Sequence, residues 1–174
     1  DGSIFPMEVR GRGADLNGMP VRVVALRDLT EQRANEQALR ANEERYRAFI
    51  AATAEAIWRA DIEPPMPVDL DVDEQTEWLY RKVRLTECNQ AMAQMYGFER
   101  PEDAVGLTMA DIYDERFFRK ITNRFVRLGY YVSETEVPYR NRKGEFIWMN
   151  GSFFGVVEDG RLQRVWCVQR DVTE

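Results

Sequence analysis

Histidine is missing altogether from the 174-residue chain. Its absence removes Ser–His–Asp and Cys–His catalysis, histidine-ligated zinc, histidine-ligated haem and phosphorylation on histidine within this sequence. Cysteine is nearly as scarce. Cys88 and Cys167 lie far apart and belong to no Cys-x-x-Cys pair, so both read as ordinary thiols of a reducing cytoplasm. Long hydrophobic runs are lacking too. Phe146 to Val157 is uncharged for 12 residues but contains Asn150, Gly151 and Ser152, well short of the roughly 20 apolar residues a bilayer span needs. Basic residues are outnumbered by acidic ones, 24 to 30, for a net charge of −6. That balance argues against nonspecific binding to nucleic acid or to an anionic membrane. The opening Asp1-Gly2-Ser3-Ile4-Phe5-Pro6 has neither an initiator methionine nor a basic leader, and is expected to come from the interior of a longer protein.

What is present is a folding composition, 44% apolar and 31% charged, with an internal repeat. Gly2-Ser3-Ile4-Phe5, Asn17-Gly18 and a β-run ending Arg27-Asp28-Leu29-Thr30-Glu31 stand near the start. Gly144-Glu145-Phe146-Ile147, Asp159-Gly160 and a run ending Arg170-Asp171-Val172-Thr173-Glu174 stand near the end. The two glycines of each copy are 16 residues apart. Asn-Gly and Asp-Gly supply the positive φ of a tight turn between alternating strands, so each copy reads as a β-hairpin. The shared Arg-Asp-x-Thr-Glu then reads as an exit towards a helix N-cap. A hairpin alone is marginal, so the first copy is expected to be the end of an upstream domain.

Residues 31–50 hold no Gly or Pro and are dominated by helix formers. Glu36–Arg40 and Glu43–Arg47 are favourable i,i+4 pairs. Leu39 and Tyr46 fall on one line, with Asn35, Asn42 and Phe49 on the neighbouring one, approximating the seam of a short parallel coiled coil. A solvated surface helix is the alternative. From residue 51 a full domain can be laid out. Ala56–Asp61 reads as a strand, Glu63–Pro67 as a proline-bearing insertion, Asp73–Lys82 as a short helix and Val83–Cys88 as a second strand. Asn89–Tyr96 reads as a small helix stopped by Gly97, with turns or short helices over Ala104–Asp114. Glu115–Leu128 reads as a helix presenting Phe117, Phe118, Ile121, Phe125 and Leu128 on one face. Strands over Glu134–Arg140, Glu145–Val157 and Gln163–Arg170 complete an α+β fold, an antiparallel five-stranded sheet with helices on one side.

In this order, Ala56-Ile57-Trp58-Arg59-Ala60-Asp61, Glu87-Cys88-Asn89-Gln90-Ala91-Met92, Met95-Tyr96-Gly97-Phe98, Tyr139-Arg140-Asn141-Arg142-Lys143-Gly144 and the final Gln169-Arg170-Asp171-Val172-Thr173-Glu174 resemble a PAS domain over about residues 45–174. The first hairpin resembles the tail of a second one. The resemblance implies residues 1–30 as the C-terminal hairpin of an upstream PAS domain and 31–50 as a signalling helix. Residues 51–174 would be a PAS domain that departs from the usual pattern by an insertion at about 63–80. It implies a sensory or dimerisation module of a cytoplasmic bacterial signalling protein, of histidine kinase or diguanylate cyclase type. A homodimer through the linker helix is expected, with adjacent PAS and output domains as partners and a small molecule as a candidate ligand.

Strand alternation assigns the cavity side of the sheet. Trp58 and Ala60 share one face of the first strand, and Thr135, Val137 and Tyr139 one face of the third. Met149, Gly151 and Phe153, and then Val165, Cys167 and Gln169, follow in the last two. With Met92, Met95, Phe118, Ile121 and Phe125 from the helical side, the pocket candidates are Trp58, Ala60, Met92, Met95, Phe118, Ile121, Phe125, Tyr139, Met149, Phe153, Cys167 and Gln169. By resemblance, Gln169 falls at the flavin-contacting glutamine of light-sensing relatives. Their reactive cysteine is absent from Asn89-Gln90-Ala91-Met92, which argues against flavin photochemistry. Gln169 and Tyr139 are the polar groups placed either to orient a ligand or to satisfy neighbouring groups in a closed core.

Asp69-Leu70-Asp71-Val72-Asp73 starts like a calcium loop but has Glu74 where glycine and Tyr80 where a bidentate glutamate belong. Asp71 with Glu74 fits a helix capping box better. Arg116, Lys120, Arg124 and their neighbours read as a solvated face. Without histidine, an enzyme would need a perturbed carboxylate or lysine as base. Ligand sensing and pure relay with a filled core remain the two readings.

Overall fold

Asn17 and Gly18 take positive φ angles of 54° and 82°, the geometry of a two-residue hairpin turn. They close β1 (Met7–Leu16) onto β2 (Met19–Asp28), in register from Met7↔Asp28 to Leu16↔Met19. The computed structural model describes residues 4–173. Gly2 and Ser3 of the first repeat copy and Glu174 of the second lie outside the described residues. Asp28 Oδ1 accepts from the Thr30 backbone N–H (2.8 Å) and hydroxyl (2.6 Å), and the helix α1 (Thr30–Ala52) starts there. None of its residues is buried. The chain divides into two compact units between Phe49 and Ile50.

The second unit opens with β3 (Ala56–Pro67). The sequence ends this strand at Asp61 and assigns Glu63–Pro67 to an insertion, yet the strand runs on through Pro64 and Pro65 to Pro67. Pairing with the last strand breaks after Asp61↔Arg164 and resumes at Met66↔Leu162. Proline donates no ladder hydrogen bond, so Pro64 and Pro65 sit in this irregular stretch, the place a sheet tolerates them. Met66 returns fully buried to the core. Asp71 then accepts from the backbone N–H groups of Asp73 (2.9 Å) and Glu74 (2.8 Å), capping α2 (Val72–Lys82). β4 (Val83–Cys88) pairs back onto β3, with an irregularity at Arg59/Ala60.

Asn89 caps α3 (Gln90–Tyr96), which Gly97 ends at a φ of 86°. A single 3-10 turn (Pro101–Asp103) and α4 (Met109–Ile112) lead to α5 (Glu115–Arg127), capped by Asp114. On α5 the expected apolar face is rotated. Phe118, Thr122, Phe125 and Val126 are buried, whereas Leu128 is 54% exposed. The helix stops at Arg127, and Gly129 and Tyr130 turn at positive φ (70° and 67°), so Leu128 never completes another turn over the core.

β5 (Tyr131–Arg140), β6 (Phe146–Glu158) and β7 (Arg161–Asp171) complete a five-stranded antiparallel sheet in the order β4-β3-β7-β6-β5. Asp159 and Gly160 repeat the positive-φ turn of the first hairpin. The exit repeats as well. Asp171 Oδ1 accepts from Thr173 N–H (2.9 Å) and hydroxyl (2.5 Å), and the Thr173 hydroxyl oxygen accepts from Trp148 N–H (2.8 Å). Gly155 is required where β6 meets the corner after α5. A Cβ there would stand 2.5 Å from Leu162 Cδ1 and 2.9 Å from Tyr130 Cβ.

Candidate ligand pocket and the polar cluster beside it

Alternation along β3, β6 and β7 turns Trp58, Ala60, Met149, Gly151, Val165, Cys167 and Gln169 into the core. α5 lies across that face with Phe118 and Phe125. Between helix and sheet is a cavity of about 210 Å³. Its walls are Trp58, Leu79, Val83, Met109, Phe118, Ile121, Phe125, Val132, Val137, Phe153 and Val165, with Tyr113 and Thr122. Trp58 and Phe153 meet edge to face, with ring centroids 6.1 Å apart, a favoured aromatic geometry. Lys120, Arg124, Thr135 and Glu136 border the space where α5 passes the edge strand β5. There β5 changes register between Val132 and Thr135, and Glu134 has a φ of 46°.

Five of the twelve candidate residues, Trp58, Phe118, Ile121, Phe125 and Phe153, line this cavity. Ala60, Met92, Met95, Tyr139, Met149, Cys167 and Gln169 do not. They pack beside it or, for the half-buried Met95, at the end of α3. Gln169 and Tyr139 are committed to protein partners. Gln169 Oε1 accepts from Trp58 Nε1–H (3.2 Å) and from the Tyr96 hydroxyl (2.8 Å). The Tyr113 hydroxyl in turn hydrogen-bonds Tyr96. Because Tyr96 spends its proton on Gln169, Tyr113 is the donor in that pair. Tyr139 donates to the Ile112 carbonyl (3.1 Å). Rings of Tyr96, Tyr113, Tyr139 and Phe117 stack and tilt against one another at 5.1–5.7 Å.

Burial keeps this cluster neutral. It drives the Tyr96 and Tyr113 hydroxyls well above the ordinary phenol range and pushes Tyr139 up to about 12. Cys167 is likewise held as a thiol by complete burial. Cys88, half-buried with Glu102 and Glu87 nearby, is raised to about 11. Neither sulfur therefore carries the thiolate a reactive cysteine needs at neutral pH.

Several residues here escape sequence reasoning. Leu79 on α2, Val83 on β4, Met109 on α4, Val132 on β5 and the hydroxyls of Tyr96 and Tyr113 all reach the site. Alternation of Val83 and Leu85 carried the only local signal for any of them. Asn89 is the other omission. It sits buried where β3, β4 and α3 meet. Its Oδ1 accepts from Ile57 N–H and Met92 N–H (both 3.0 Å), and its Nδ2 donates to the carbonyls of Ile50 (3.1 Å) and Glu55 (2.8 Å).

Comparison with known proteins places this architecture. The family model of the PAS domain matches residues 79–174. Among solved structures, a PAS domain from Colwellia psychrerythraea is similar with a TM-score of 0.55 at 15% identity, covering 76% of this chain and 98% of its own. The PAS domain of a LuxR-family transcriptional regulator from Burkholderia thailandensis, solved in complex with ethanol, gives 0.51 at 13%, covering 74% and 98%. A PAS domain from a two-component sensor histidine kinase gives 0.50 at 16%, covering 76% and 97%. At such identities the likeness is one of fold. No curated protein matches the chain.

Proposed function

The chain belongs to the PAS domain family, and on that premise we propose that residues 51–174 are a sensor domain that regulates a multidomain signal-transduction protein of histidine kinase or diguanylate cyclase type. Residues 1–30 are then the closing hairpin of an upstream PAS domain, and 31–50 a signalling helix between them. The observation that carries the sensing role is the cavity of about 210 Å³ under α5, walled by aromatic and aliphatic side chains and bordered by charged ones. Ligand binding there would act on the α5–β5 gap and through it on the sheet. Native mass spectrometry of the purified protein tests this. A bound small molecule, lost when Ile121→Trp fills the space, is the expected result. A bare chain of calculated mass, with no thermal shift on adding millimolar 1-octanol, overturns it.

Pure relay is the second reading, favoured by one observation. Gln169 and Tyr139, the polar groups best suited to orient a ligand, are already bonded to Trp58, Tyr96 and Ile112, as in a closed core. Both readings use α1 as the coupling element. Leu39 and Phe49 are each 68% exposed on it, ten positions apart in the heptad seam. A second copy of α1 in parallel covers both. Light scattering at micromolar concentration is expected to give a dimer for the native sequence and a monomer for Leu39→Glu with Phe49→Glu. A dimer that survives the double substitution removes α1 as the interface.

A further inference from the structure

The cationic rim of the cavity says what enters it. α5 carries five basic residues, Arg116, Arg119, Lys120, Arg124 and Arg127; Arg116 lies away from the cavity, and the other four differ in their partners. Arg119 is bonded to Glu115 (2.8 Å) and to Glu77 of α2, and Arg127 to Asn123 (2.7 Å). Lys120 and Arg124, which border the cavity, have no ion pair or side-chain hydrogen bond among the described residues. They are one helical turn apart, an arrangement in which like charges disfavour the helix slightly. The acid at the same opening, Glu136, does not neutralise them. It pairs with Asn150 across the sheet, between Thr135↔Gly151 and Val137↔Met149. Alternation turns it to the opposite face from Thr135 and Val137, and there it accepts from Asn150 Nδ2 (3.4 Å).

From this combination we infer that the pocket takes a small amphipathic monocarboxylate, its apolar end against Trp58, Phe118 and Phe153 and its carboxylate at Lys120 and Arg124. This rests on the sensing role proposed above and names the ligand class for it. The size agrees. A cavity of about 150 Å³ holds a benzene ring, so about 210 Å³ admits a chain of seven or so carbons with its head group at the rim. Besides the rim charges, the uncharged polar side chains of the lining are Tyr113 and Thr122 on the walls and Thr135 at the opening. A cationic head would be repelled at the rim, and a neutral head would gain nothing from it.

Isothermal titration with octanoate, 1-octanol and octylammonium separates the cases, using the native protein, Lys120→Glu with Arg124→Glu, and Ile121→Trp. Both rim residues are exposed, so the charge reversal leaves the fold intact. Two exposed ion pairs together are worth about a factor of ten. Octanoate is therefore expected to bind the native protein about tenfold more tightly than 1-octanol, with octylammonium weaker than 1-octanol. The charge reversal should abolish that advantage while leaving 1-octanol within about twofold. Ile121→Trp should lose all three. Should 1-octanol bind as well as octanoate, or the reversal leave octanoate unchanged, the pocket stands and the carboxylate assignment is overturned. If no probe binds the native protein, the sensing role falls with it.

Discussion

Gln169→Leu is expected to lower the free energy of unfolding by about 2–4 kcal/mol, against a change within about 0.5 kcal/mol for Arg170→Ala next to it. Leucine nearly matches the glutamine in volume, so the loss is one of hydrogen bonding. Two donors meet at Gln169 Oε1, and both are buried. Tyr96 can redirect its proton towards Tyr113, but Trp58 Nε1 has no second acceptor within the cluster. A buried donor left unpaired costs about 1–3 kcal/mol. The Arg170 side chain is exposed on the other face of β7. Urea denaturation of the three proteins measures the difference. Equal effects at the two positions would mean that β7 is out of register by one residue, since such a slip exchanges its faces.

Asn89→Ala should be more damaging still, by about 3–5 kcal/mol, because one carboxamide serves four backbone groups. Its oxygen continues the β3–β4 ladder at Ile57 N–H, where the Asn89 N–H also donates to the Ile57 carbonyl (3.0 Å), and it caps α3 at Met92. Its nitrogen closes the carbonyls of Ile50, in the last turn of α1, and of Glu55, just before β3. Asn89→Asp keeps the acceptor but turns a carboxylate oxygen towards those two carbonyls, so it rescues little. Amide exchange at Ile57 and Met92, together with the unfolding midpoint, reads the outcome. A loss below about 1 kcal/mol for Asn89→Ala would show that water takes over the four groups.

The two substitutions also mark what could be read from the sequence. Both hairpins, the inward faces of β3, β6 and β7 and the antiparallel sheet were legible because period-2 alternation and Asn-Gly or Asp-Gly turns are local signals. That Trp58 and Gln169 both face inward follows from alternation. That they bond each other does not, since 111 positions separate them, and pattern tells which side a residue faces but not which partner it meets. The continuation of β3 through Pro64 and Pro65 was hidden for a related reason. Prolines break a ladder locally, and only the distant pairing of Met66 with Leu162 shows that the strand resumes. Leu79 and Met109 reached the cavity through helix placement, which no local pattern encodes.

The Asp171–Thr173 exit has a consequence in time rather than in energy. The Trp148 N–H is donated to the hydroxyl of Thr173, while the Val172 N–H is donated to the Trp148 carbonyl (2.8 Å). One residue of β6 thus holds both sides of the departing chain. The Trp148 amide can exchange its proton with solvent only when that side-chain contact opens, an event independent of the sheet ladder and drawn from the low-stability end of the molecule. Its exchange rate is a clock for the docking of the chain exit. The amides deeper in β6 and β7, such as those near Cys167, keep the time of global unfolding instead.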